Sequence, residues 1–180
     1  MERSHGRVYI RQFTSALTNP SIEVINPSMT DKDSSKKSQS PAQHGKYNTN
    51  LAAEFFVLSC LHRLGVTAAL TLGNKKGVDI LVAGANGKSI MVEVKGVARH
   101  YDWPANNIDT EKIKGTNAAR RFVVLVSFKG TISDLTMPTP EVWVVPFSKL
   151  KPFTKLFEKS GRTNVQRALV TAKGDEYRNA

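Results

Sequence analysis

The chain has 180 residues, 40% hydrophobic and 23% charged, and its net charge of +11 calls for a polyanionic partner. That length suits one domain with its own core, and ordinary Gly and Pro contents of 12 and 8 exclude fibrous chains. A single cysteine, Cys60, excludes a disulfide framework and a zinc cluster, and no apolar run reaches the roughly 20 residues of a membrane span. With no signal-peptide core after Met1, the expected setting is cytoplasmic, or another reducing compartment that contains nucleic acid, with no membrane partner.

Residues 1–46 read as an N-terminal arm and flexible linker. Asn19-Pro20, Asn26-Pro27 and the Ser-, Lys- and Pro-rich stretch 30–45 lack apolar periodicity, although residues 7–10 and 22–25 could form edge strands. An α/β domain is expected over residues 47–160. Residues 50–64 carry apolar side chains at helical spacing and stop at Gly65. Residues 67–72, 78–83 and 89–94 are short, apolar or β-branched, and separated by Gly-containing turns, which predicts a β-meander.

A short helix is expected over residues 109–114. Residues 122–128 (FVVLVSF) and 142–145 (VWVV) have the continuous apolar character of strands buried on both faces. Residues 148–159, with Leu150, Phe153, Leu156 and Phe157, are expected to form a terminal helix, and residues 161–180 a polar loose helix or tail. The element order predicts a central sheet covered by helices on both faces.

Two constellations stand out. On a helical wheel centred on Glu54, Leu51, Val57, Leu58 and Leu61 fall within about 60° on either side. A carboxylate amid an apolar stripe needs a partner, since an unpaired buried charge costs several kcal/mol or shifts its pKa. A metal or a lysine would serve; the bland alternative is a first-turn acid stabilised by the helix dipole.

The second constellation is Gly77-Val78-Asp79-Ile80, followed by Val92-Glu93-Val94-Lys95. Strand alternation puts Glu93 and Lys95 on one face and Val92 and Val94 on the other. A turn centred on Asn86 sets Asp79 opposite Glu93, with Cβ atoms about 5 Å apart. A two-residue Asn86-Gly87 hairpin loop sets Asp79 beside Val94 instead. Opposed acids repel unless a cation lies between them, as a divalent ion on oxygen ligands or Lys95 would. Ordinary charges on a solvated strand face are the alternative for any one of these residues.

Glu54 on a first helix, Asp79 on a following strand, and Glu93-Val94-Lys95 fourteen residues later resemble the PD-(D/E)XK nuclease superfamily. A first-helix glutamate is similar to Holliday-junction resolvases, and the likeness spans roughly residues 47–147. It implies a restriction-endonuclease-like core, a mixed sheet flanked by helices in αβββαβ order, and a metal-dependent endonuclease acting on nucleic acid, DNA rather than RNA. Carried onto this chain, Asp79 and Glu93 become metal ligands with the Val94 carbonyl as a third. Glu54 binds the metal directly or through water, and Lys95 orients or deprotonates the attacking water. The residues implied as catalytic are thus Glu54, Asp79, Glu93 and Lys95. Val78 replaces the proline that names the motif. A hard, oxygen-only donor set favours Mg²⁺ or Mn²⁺ over zinc.

Lys75, Lys76, Arg99, Lys112, Lys114, Arg120 and Arg121 are candidate phosphate contacts, while Tyr101 and Trp103 could stack on bases. A packed loop anchor is the other role open to Trp103. Gly87-Lys88-Ser89 imitates the end of a phosphate-binding loop but lacks the first glycine and the following helix. His5, His44, His62 and His100 show no metal spacing. The alternatives to a nuclease are a non-catalytic nucleic-acid-binding module on the same fold and a purely structural ion-pair network. Cutting both strands of a duplex would favour a homodimer.

Overall fold

In the computed structural model, which describes residues 41–71, 77–84, 87–106 and 119–179, helix α1 spans Pro41–Arg63. Proline suits a first helical turn, whose N–H groups have no intrahelical partner. Residues 41–46, read as linker, are thus helical and continuous with the helix expected from residue 50. The two apolar runs of the arm and the helix expected over 109–114 lie outside the described residues.

Nine strands follow among the described residues. They are β1 (Ala68–Leu70), β2 (Ile80–Val82), β3 (Ile90–Ala98), β4 (Trp103–Pro104), β5 (Arg121–Phe128), β6 (Glu141–Pro146), β7 (Thr154–Phe157), β8 (Arg162–Val165) and β9 (Arg178–Asn179). A six-stranded sheet has the order β1-β2-β3-β5-β6-β9, and a three-stranded sheet the order β4-β8-β7. Strands β3 and β5 pair in parallel while the other pairs are antiparallel, so the main sheet is mixed. Ile80 pairs with Val92, Leu81 with Met91 and Val82 with Ile90; the paired register ends at Ile80, and Asp79 lies just beyond it.

Helix α1 covers one face of this sheet. Ala53, Val57 and Leu61 pack with Val92, Val94, Val124 and Val126. The closest approach is at Gly96, where a Cβ would stand 2.6 Å from Ala53 Cβ and 2.7 Å from the Thr49 carbonyl oxygen. That approach selects small side chains, so the buried stripe is Thr49, Ala53, Val57 and Leu61. Glu54 is therefore half-buried on the flank of the stripe and not at its centre. Leu51 and Leu58, which drew the wheel toward Glu54, are only partly buried.

The opposite face differs from the expected helical layer. Trp103, Phe147, Leu150, Phe153, Val165 and Val170 cover Val123, Leu125, Trp143 and Val145 there. Among the described residues this cover is the small sheet, short 3₁₀ turns and one helix, α2 (Arg167–Lys173).

Residues 148–159 do not form the expected helix. Phe147, Leu150 and Phe153 are buried at a spacing of three, the period of the 3₁₀ turns Phe147–Lys149 and Lys151–Phe153. Pro152 cannot donate within a longer helix, and the chain leaves as β7 with Leu156 exposed. Residues 161–179 are likewise no tail: β8, α2 and β9 bury Val165, Val170 and Tyr177 in the core. Their polar composition hid three anchors spaced too widely to show a period.

Replacing Gly96 with Val is expected to push α1 off β3 and cost about 1–3 kcal/mol. Chemical denaturation would show a lower midpoint with an unchanged slope.

Candidate active site

Strand β2 parts from β3 at Asp79. The Asp79 N–H still donates to the Val92 carbonyl at 2.8 Å, and then the side chain takes over the ladder: Oδ2 accepts the Val94 N–H at 2.7 Å. One step further, Asn50 Oδ1 accepts the Gly96 N–H at 3.0 Å, and Asn50 Nδ2 donates to Glu54 Oε1 at 2.6 Å. The edge of β3 left open by β2 is thus closed by an aspartate and an asparagine, and the asparagine ties Glu54 to the same edge. A residue's N–H and C=O leave a strand on the same side, so the Val94 carbonyl faces the Asp79 side. Asn50 was not among the expected site residues; its four-residue spacing from Glu54 was the signal available.

Glu93 and Lys95 project from the other face of β3, away from Val92 and Val94. Glu93 is 1% exposed, the most buried acid in the core. Its Oε1 lies 2.9 Å from Lys95 Nζ and its Oε2 3.0 Å from an Arg121 terminal nitrogen. The Lys95 contact is an ion pair without hydrogen-bond alignment, so among the described residues Oε1 keeps an undirected lone pair. The same Arg121 nitrogen donates to the Gly77 carbonyl at 2.6 Å, and the guanidinium lies 4.6 Å from the Phe147 ring centre.

Burial pushes the Asp79 carboxyl above its ordinary range and Glu93 adds to this, while the Val94 N–H, Lys95 and Arg121 pull the other way. Glu54 is also raised, first by burial and then by Asp79, against the Asn50 hydrogen bond and Lys95. Asp79 and Lys95 thus act on Glu54, and Lys95, Glu93 and Arg121 act on Asp79. Among the described residues no three His, Cys, Asp or Glu side chains converge into a ready-made metal cage.

The candidate nucleic-acid contacts divide. Trp103 cannot stack on a base: it is fully buried, donates from Nε1 to the Val126 carbonyl at 3.0 Å, and sits edge-on to Trp143. Arg121 is not a phosphate contact either, because Glu93, Gly77 and Phe147 surround its guanidinium. Arg99 and Tyr101 are exposed, the latter at 65%, and Arg120 is half-buried. Lys75, Lys76, Lys112 and Lys114 lie outside the described residues.

A basic cluster absent from those expectations surrounds Glu141, with Arg178 at 2.6 Å, Arg167 at 3.1 Å and Lys129 at 3.7 Å. Arg167 also hydrogen-bonds Ser127 Oγ. Lys95 pairs with Leu125, and Val97 and Glu141 both lie in register with Ser127, so Glu141 shares the face of Lys95. Sheet spacings put their Cα atoms roughly 12 Å apart. Nothing local marks this cluster in the sequence, because its members come from β5, β6, α2 and β9 and the loop after β5.

The raised carboxyls set a sign for stability. A group whose pKa is higher folded than unfolded stabilises most below the unfolded pKa, and that contribution is lost as pH rises through the folded value. In chelator at pH 7, Asp79→Asn should therefore raise the melting temperature by about 2–4 °C, equivalent to roughly 1 kcal/mol. The gain should shrink as pH falls toward the ordinary carboxylate range, which a pH series of thermal melts would show. No protein-family model, curated protein or solved structure matches this chain.

Proposed function

We propose that this protein is a metal-dependent nuclease of the PD-(D/E)XK kind, with a restriction-endonuclease-like core, hydrolysing phosphodiester bonds in DNA in preference to RNA. The observation that carries this is the fork between β2 and β3, where Asp79 takes up the Val94 N–H opposite the Glu93–Lys95 pair. Both partly buried carboxyls, Glu54 and Asp79, are raised mainly by burial, and Asp79 raises Glu54 further, a strain that a shared cation would relieve.

The residues fit Mg²⁺ or Mn²⁺. Asp79, Glu54 and the Val94 carbonyl are hard oxygen donors facing one edge, and Glu93 Oε1 is a buried oxygen whose neighbour Lys95 is an ion-pair partner without hydrogen-bond alignment. Mg²⁺ commonly takes only one or two protein carboxylates and keeps several waters, so a closed cage is not required. Such an ion supplies polarisation of the phosphoryl oxygen and a water of lowered pKa.

The chain's own groups do the rest. Asp79 and Glu54 would hold the ion, with positions fixed through Val94 and Asn50. Lys95, 18% exposed and aligned by Glu93, presents a cation to the attacking water or the phosphate oxygen. Arg178 and Lys129, about half-exposed beside Glu141 on the same face, give the phosphate backbone a second point of attachment.

One observation favours a non-catalytic nucleic-acid-binding module as the second reading. Both Glu93 oxygens already lie against cations, an arrangement that is complete without metal. Incubation with plasmid, four-way junction, single strands and transfer RNA in Mg²⁺, Mn²⁺ or chelator separates the two. Metal-dependent cutting is expected, with Asp79→Asn, Glu93→Gln and Lys95→Met each reducing it by about 10²–10⁴-fold. Salt-sensitive binding without cutting would establish the second reading. In either case Arg178→Ala and Lys129→Ala should weaken binding across sequences, each lowering the salt slope by about 1.

A further inference from the structure

We infer that Arg121 is a positioning residue that sets the separation between the Glu93 strand and the Asp79 turn, a role that rests on the nuclease reading. A basic residue at the start of a strand would ordinarily reach solvent or a phosphate. Arg121 instead places one terminal nitrogen between two groups, the Glu93 carboxylate at 3.0 Å and the Gly77 carbonyl at 2.6 Å. Gly77 stands two residues before Asp79 in the turn that leads into β2. Glu93 lies in β3. The guanidinium is therefore a tie between the segment that carries Asp79 and the strand that carries Glu93.

Three further features make this tie specific. The Arg121 side chain is only 11% exposed, and the Phe147 ring lies 4.6 Å below its guanidinium carbon, which fixes its plane. Gly77 has φ of +82°, and a Cβ on it would collide with the same Arg121 nitrogen, so the glycine is required by the clamp as well as by its backbone. Finally, one charge placed between a carbonyl and a carboxylate resists drift of either, because a displaced carboxylate would leave a buried cation unpaired. Lys95 cannot substitute, since it contacts the other Glu93 oxygen and, among the described residues, no part of the turn.

The prediction is separable from a role in binding nucleic acid. Partners that orient metal ligands typically change metal affinity 10–100-fold when removed. Arg121→Met is therefore expected to raise the Mn²⁺ concentration for half-maximal cutting by about tenfold or more, and to lower kcat. Its affinity for a DNA duplex in chelator should stay within about twofold of wild type, with an unchanged salt slope. Arg121→Lys, which keeps the charge but lacks the planar fork, should recover only part of the Mn²⁺ shift. Gly77→Ala leaves Arg121 in the chain but displaces it, and should show the same Mn²⁺ shift. Circular dichroism melts would show that the Arg121→Lys variant remains folded.

Loss of DNA affinity with a salt slope reduced by about 1, at unchanged Mn²⁺ dependence, would make Arg121 a phosphate contact and overturn the proposal. Full recovery by lysine would overturn it too, since charge alone would then suffice. Wild-type protein that binds and cuts while Arg121→Met titrates with Mn²⁺ like wild type would refute the positioning role alone. Wild-type protein that neither binds Mn²⁺ nor cuts would remove the nuclease reading and this role with it.

Discussion

The open edge of β3 is the constraint on which the rest of this structure depends. Its partner β2 is only three residues long, so β3 presents unpaired backbone groups from Val94 onward. Buried strand N–H groups are rarely left unsatisfied. Here they are met by the Asp79 carboxylate at Val94 and the Asn50 amide at Gly96. Backbone satisfaction thereby delivers two acids, Asp79 and Glu54, to one place. Gly96 lets the helix come near enough for Asn50 to reach, because any Cβ there would meet Ala53 and Thr49.

The charges around that edge form two groups with different logic. Glu54 and Asp79 are half-buried, mutually repulsive and held in place by neutral hydrogen bonds from Asn50 and the Val94 backbone. Glu93 is fully buried, and two cations neutralise it, since an unpaired carboxylate at that depth would be strongly destabilising. The first group is thus left with electrostatic strain, while the second is neutralised. The basic cluster around Glu141 repeats the second pattern with cations in excess, which turns a structural ion pair into a positively charged surface.

Much of this was legible in the chain, where the pattern was local. The meander, the apolar strands at 122–128 and 142–145, and the face shared by Glu93 and Lys95 follow from period-two alternation and turn residues. The choice between two registers of the hairpin was not legible, because Asn86-Gly87 suits a two-residue loop equally well. Trp103 and Arg121 read as ligand contacts because aromatic and basic side chains look alike in sequence whether buried or exposed. Only the pairing of Trp103 with Trp143 and of Arg121 with Glu93 distinguishes them. The segment 148–159 misled for a related reason: spacings of three and four share members, and Pro152 decided between them.

The sequence by itself determined the acids and the lysine, their spacing, and the alternation that separates Glu93 and Lys95 from the valines between them. Those are properties of neighbours, set by backbone periodicity. Tertiary structure alone decided that Asp79 caps the Val94 N–H, that Asn50 joins Glu54 to Gly96, and that Arg121 ties Glu93 to Gly77. Each of those contacts spans segments distant in the chain or selects one of several registers. Such choices are made by packing, where the approach of a helix to a single glycine fixes which side chains can meet.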